Sequence, residues 1–298
     1  MRIPAFALLA VLFALPASAE PRAAREAREP EIAGICRGKA DRAALGTRYG
    51  CAEIAADFIR LRGVSGVHDA VMIFHDQHEF VEGSVGIALS PGVQPNTLPK
   101  PVVIVTKGLP LLAGEDRSAI AFILAHELAH LAAKDPLEYG VRGAEHEKYL
   151  ESWVAKNSGR FKTEAEALDL HKKDPEAQAK AKELADFKKV REKAADGNGL
   201  NSMGNVKDES GAPIFERQGA WRAMERAKGF VEQSQRRARA EGWRPGPQHL
   251  HASHDPFEER VRYLKEWADK MDRVHRVGAG LGGLGELGGC DARLQSCR

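Results

Sequence analysis

Between residues 102 and 134 the chain passes from one apolar pattern to another. Val102-Val103-Ile104-Val105-Thr106 is a β-branched run that predicts a strand. Residues 115 to 134 predict a helix. Glu115 and Asp116 fall in its first turn, where the macrodipole favours acids, and Asp135-Pro136 ends it, because the residue before a proline avoids helical dihedrals. Residues 119 to 133 read Ala-Ile-Ala-Phe-Ile-Leu-Ala-His-Glu-Leu-Ala-His-Leu-Ala-Ala, and a helix that is apolar nearly all round is a buried one.

The flanking patterns are weaker. Ile54, Phe58 and Leu61 give helical spacing over 52 to 62, stopped by Gly63. Short apolar runs between Val71 and Leu89 read as strands, followed by a proline-rich turn from Pro91 to Pro101. The polar stretch from Glu145 to Glu192 is mostly helical, broken at Asp174-Pro175, with its charges on a solvated face. Residues 197 to 219 read as turns, 220 to 241 as helix, and 256 to 276 as a helix with Phe257, Val261, Leu264 and Trp267 near one face. From Gly278 to Gly289 the chain reads as glycine-rich linker. Its Gly-Ala-Gly-Leu-Gly-Gly is no dinucleotide fingerprint, lacking a preceding strand and a following helix. The pattern contains no internal repeat. It implies an α+β fold, mainly helical, with a small sheet carrying strand 102 to 106 beside the buried helix.

The ends of the chain add a compartment. Met1-Arg2, an apolar stretch from Ile3 to Leu15 and the triplet Ala17-Ser18-Ala19 have the order of a secretory signal peptide cleaved after Ala19, which places the protein in the periplasm or outside the cell. The stretch is short for a transmembrane helix, which requires roughly 20 apolar residues, and no other segment approaches that length. No cysteine follows the cleavage point to take a lipid anchor. The expected organisation is a signal peptide over 1–19, an N-terminal arm over 20–35 that is frayed to about residue 31, one domain over 36–277, and a glycine-rich tail with a cysteine pair over 278–298. Lys and Arg total 44 against 42 Asp and Glu, a net +2 with both signs interspersed, which gives no footprint for nucleic acid. Cys36, Cys51, Cys290 and Cys297 are an even set after a signal peptide and read as two disulfides rather than four free thiols. Of three possible connectivities the local one, Cys36–Cys51 with Cys290–Cys297, is preferred because it staples each terminal segment to itself.

The chemistry lies in the buried helix, where His126, Glu127 and His130 are the only polar side chains in fifteen positions. Burying ionisable groups without partners costs several kcal/mol, which a metal or a hydrogen-bonded network offsets. Histidines four apart project from one helix face and can offer two imidazole nitrogens to one ion. Glu127 lies about 100° round from His126, beside the ion rather than on it, where a base for activated water belongs. With 11 histidines in 298 residues, roughly 0.03 chance occurrences of this spacing are expected. The motif does not name a third ligand. Two histidines and one glutamate leave zinc an open position, and downstream Glu192-Lys-Ala-Ala-Asp196 places Glu and Asp four apart on one helix face. His75 and His78, and His249 and His251, read as solvated.

These segments, in order, resemble the glutamate-liganded zinc peptidases that include the CAAX prenyl endopeptidases, the heat-shock protease HtpX and the BepA-type periplasmic proteases. Residues 103 to 109 look like that family's strand, Ala125-His-Glu-Leu-Ala-His130 like its zinc helix, and Arg191 to Leu200 like its third-ligand helix. Ser253-His-Asp-Pro-Phe-Glu-Glu-Arg260 is similar to its closing segment, although Asp255 separates His254 from the proline that usually follows directly. The resemblance covers about residues 100 to 265. It implies one zinc ion per chain held by His126, His130 and Glu192, with Asp196 orienting a ligating imidazole through its free N–H. It also implies active-site roles for His254 and Arg260. His254 either donates to the developing oxyanion or gates the open zinc position, and the gate is favoured. The function implied is metalloendopeptidase, with misfolded or unassembled envelope polypeptides as substrates lying extended along a sheet edge. The competing reading is a zinc-stabilised chaperone or adaptor that holds unfolded clients without cleaving them, against which the intact Glu127 weighs.

Overall fold

The computed structural model describes residues 22–37, 49–75, 86–89, 100–106, 108–240 and 254–280. The fold is mainly helical α+β. Helices α1 (Arg22–Cys36) and α2 (Cys51–Ser65) precede strands β1 (Val71–His75), β2 (Gly86–Leu89) and β3 (Val102–Thr106). Then follow α3 (Gly108–Leu112), α4 (Arg117–Ala132), α5 (Asp135–Asn157), a 3-10 turn at Ser158–Arg160, α6 (Glu164–Lys173), α7 (Pro175–Asn205), α8 (Gln218–Ala240) and α9 (Phe257–Gly280). The sheet order is β1-β3-β2. β1 runs parallel to β3 from Val71↔Val102, and β2 runs antiparallel to it from Gly86↔Val105.

Helix α4 is the axis of the molecule. Asp116 caps it, its side chain accepting from the backbone N–H groups of Ser118 and Ala119, which would otherwise lack partners. Glu115, expected inside the first turn, precedes the helix in a left-handed conformation with φ 58°. From Ser118 to Leu131 every α4 residue but Glu127 is buried. α7, α8, α2 and the sheet surround it, and Phe122, Leu124 and Leu128 meet Phe58, Leu200, Met203 and Phe215 in one core. Each such fully buried side chain contributes about 1.5–3 kcal/mol of apolar transfer. The all-round apolar pattern read from the sequence is thus the pattern of a helix covered on every side.

Several boundaries differ from the sequence reading, each for a physical reason. Helix α2 runs through Gly63 and stops at Gly66, whose φ of 78° supplies the left-handed C-cap. Asp135-Pro136 opens a helix instead of closing one. Lys134, with φ 58°, turns the chain, and Pro136 takes the first-turn position where its missing N–H costs nothing. The break at Asp174-Pro175 is present, with Asp174 capping α7. The turn expected from residue 197 is absent, because α7 continues to Asn205 and its glycines serve close packing: a Cβ on Gly199 would stand 3.0 Å from the His126 backbone N. Residues 22–36 form a helix rather than a frayed arm. Ile32 and Ile35 pack on the core, and Arg62 pairs with Glu31 through two hydrogen bonds of 2.6 and 2.9 Å. α9 extends to Gly280, into the stretch read as linker.

Cys36 and Cys51 form a disulfide that joins α1 to α2. Residues 1–19, read above as a signal peptide, and Cys290 and Cys297 lie outside the described residues, as do His78, His249 and His251. No helix among the described residues is long and apolar enough to cross a membrane.

Candidate metal centre

Two helices build the site. α4 presents His126 and His130 one turn apart, and α7 crosses it closely enough at Gly199 to bring Glu192 and Asp196 against them. His126, His130 and Glu192 each offer an atom to one point. The two Nε2 atoms are 3.0 Å apart, and Glu192 Oε2 lies 3.2 Å from His126 Nε2 and 3.4 Å from His130 Nε2. His254 arrives ahead of α9, with its Nε2 2.9 Å from the same oxygen.

The outer nitrogens decide what the inner ones can do. His126 Nδ1 lies 2.9 Å from Asp196 Oδ1, and His130 Nδ1 lies 2.8 Å from Asp135 Oδ2. A carboxylate only accepts, so each Nδ1 carries the proton, and each neutral ring turns an Nε2 lone pair inward. Two lone pairs and a carboxylate oxygen therefore converge in a buried space. Glu192 Oε2, despite three imidazole nitrogens within 3.4 Å, makes no hydrogen bond and is buried. Such a donor set requires positive charge, supplied either by extra protons on the rings or by a cation between them. The spacings match the roughly 3.3 Å edge of a tetrahedron whose ligands sit about 2.0–2.1 Å from zinc. The residues fit the metal.

Titration follows the same geometry. Burial lowers the His130 pKa, but Asp135 and Glu192 outweigh it and push it up to about 10. For His126 burial is likewise outweighed, by Asp196 and Glu192, and its pKa is raised. Burial would raise Glu192, yet His126, His130 and His254 hold it far below the ordinary carboxylate range. Asp196 is also lowered against its burial, by Arg260 and His126. All four shifts favour positive rings beside negative carboxylates, the ion pairing that balances the buried charge without metal.

Behind each ligand imidazole stands an Asp, and behind each Asp an Arg. Arg260 donates to both oxygens of Asp196, Nε at 2.8 Å and Nη2 at 2.6 Å, and Tyr263 adds its hydroxyl at 2.5 Å. Arg260 is only 6% exposed and reaches the site solely through that carboxylate. On the other side Arg191 Nη1 lies 3.5 Å from Asp135 Oδ1 and also binds Glu138. The sequence reading missed Asp135 and Tyr263. The only trace of Asp135 in the sequence is an acid five residues after the second histidine, ahead of a proline, and Tyr263 shows none, since its partner lies 67 residues away. Glu127, read as buried, is the one residue from Ser118 to Leu131 that opens towards the surface.

The model of peptidase family M48 matches residues 87–268, from β2 into α9. No curated protein and no solved structure matches the chain.

Proposed function

Because the chain belongs to peptidase family M48, a family of metallopeptidases, we propose that it is a periplasmic or secreted zinc metalloendopeptidase acting on misfolded or unassembled envelope polypeptides. The observation that carries the reading is the convergence of His126 Nε2, His130 Nε2 and Glu192 Oε2 on one buried point. Zinc held there supplies a Lewis acid that acidifies water and polarises a peptide carbonyl. The chain's own residues do the rest. Glu127, on the accessible side of α4, takes a proton from the attacking water and returns it to the leaving amine. Asp196 and Asp135 fix the two imidazoles in the tautomer that offers Nε2. Arg260 holds Asp196 and touches no reacting atom. His254, 28% exposed at the rim and within 2.9 Å of the ligand carboxylate, would stand beside the bound ion and restrict access to it. Substrate lies extended along β2, which pairs only with β3 among the described residues and packs against α4, so main-chain hydrogen bonds give affinity without strict sequence selectivity.

The test is degradation of an unfolded casein-type substrate with and without chelator, alongside zinc content. Glu127→Gln is expected to keep zinc and lose hydrolysis, and His254→Ala to keep zinc and turn over faster. Zinc-loaded protein that binds the unfolded substrate without cutting it would instead identify a chaperone.

A further inference from the structure

One buried polar group beside the centre has no part in the chemistry above. Tyr139 stands on α5, nine residues beyond His130, with its ring 6.1 Å from the His130 ring and edge-on to Phe187 at 5.9 Å. Phe187 belongs to α7 and is flanked by Arg142 and Arg191, whose guanidinium groups lie 5.0 and 5.4 Å from its centroid. The Tyr139 ring is thus wedged between α4 and α7, and its hydroxyl is buried without a hydrogen bond. The hydroxyl lies beside Glu192 but short of hydrogen-bonding geometry. A phenolic hydroxyl carries its proton at neutral pH and can donate one hydrogen bond.

The Tyr139 hydroxyl and Glu192 Oε2 are thus both buried without a hydrogen bond, and the Glu192 carboxylate is near enough to act on the hydroxyl. Such pairs are rare in folded proteins and costly when left unmade. A metal ligand's carboxylate has lone pairs to spare beyond the one it gives to the ion, and neighbouring donors orient it. Resting on the metal reading given above, we propose that Tyr139 is a positioning residue for that centre: with metal bound, its hydroxyl donates to the Glu192 carboxylate and fixes the third ligand. Asp135 and Asp196 orient the two imidazoles, and Tyr139 gives the remaining ligand the support that its two companions already have.

The role separates from simple packing by the sign of its effect in two states of the same protein. Tyr139→Phe keeps the ring wedged between His130 and Phe187 and deletes only the hydroxyl. In chelated protein the variant is expected to melt at the same temperature as the parent or higher, since the lost group had no partner. In loaded protein zinc affinity, measured by competition with a chromophoric chelator, should fall by about tenfold to a hundredfold. Tyr139→Leu, which also removes the ring, should lower both chelated-state melting and affinity. Affinity of Tyr139→Phe within twofold of the parent would overturn the proposal while leaving the metal reading intact. A matching loss of melting temperature in the chelated state would overturn it in favour of packing. Failure of the parent protein to bind zinc would overturn both readings.

Discussion

At the scale of single residues the site is a problem in charge placement. His126, His130, Glu192, Asp196 and Asp135 are all largely buried, and each is tolerable only because the next supplies the opposite charge or a hydrogen bond. In the metal-free protein that balance depends on protons. The His130 pKa of about 10 stands above the 6.5 of an unfolded chain, so its contribution to stability is fully present below pH 6.5 and is lost as pH rises towards 10. His126 shifts in the same direction and adds to the loss. Glu192 is depressed, so its contribution is present above about pH 4.5 and fades as pH falls below that. Metal binding takes neutral imidazoles, so its affinity grows with pH as the rings give up protons. Thermal melting between pH 6.5 and 10 should therefore show chelated protein losing stability with rising pH, and the extra stability conferred by zinc increasing over the same interval. A zinc increment that is flat across that range would mean that the rings are not the groups the metal displaces protons from.

At the scale of elements, what the sequence made legible and what it hid divide along a physical line. Strand 102–106 has the expected bounds, and the buried helix carrying His126 and His130 lies where its apolar pattern places it, because β-branched runs and all-round apolarity are local signals. The family resemblance, confirmed by the family match, also pointed to the α7 segment that bears Glu192 and Asp196. The glycines of residues 197–204 were misread as turns, since a glycine that admits a neighbouring helix and one that permits a turn look alike in one dimension. Tyr139 and Tyr263 were hidden because their meaning comes from α7, more than forty positions away. Gly199 makes the helix contact testable. An added Cβ would stand 3.0 Å from His126 N and 3.2 Å from its Cα, both backbone atoms with little freedom to yield. Gly199→Ala should push α7 off α4, costing about 1–3 kcal/mol of stability by overpacking. It should weaken zinc binding as well, because Glu192 and Asp196 move with that helix. Gly143→Ala is the control, an α5 glycine where the new methyl meets nothing within 4 Å. It is expected to hold or gain stability by the difference in helix propensity, about 1 kcal/mol. Urea unfolding and chelator competition on the two variants would expose an error if Gly199→Ala behaved like Gly143→Ala.

On the scale of the whole molecule, the family match begins only at β2, and α1, α2 and β1 lie ahead of it as an N-terminal layer. The layer is anchored unevenly. α2 is packed directly against α4 through Ile54, Phe58 and Leu61, all fully buried, and through the Arg117–Asp57 pair, whose two hydrogen bonds are 2.8 and 2.6 Å. α1 packs mainly on α2 and β1, and is held by Ile32, Ile35, the Arg62–Glu31 pair and the Cys36–Cys51 disulfide. That arrangement separates global stability from the site. Closing a loop of 15 residues constrains the unfolded chain by about 3 kcal/mol, or roughly 6–12 °C in melting temperature for a domain of this size. Replacing both Cys36 and Cys51 by Ala should therefore lower the melting temperature by about that amount. Zinc affinity should change less than twofold, since the α2–α4 contact survives the loss of the staple. Calorimetry and chelator competition on the double variant measure the two quantities independently. A parallel fall in both would show that α1 and its disulfide brace the metal helix itself, and that the N-terminal layer belongs to the site's architecture.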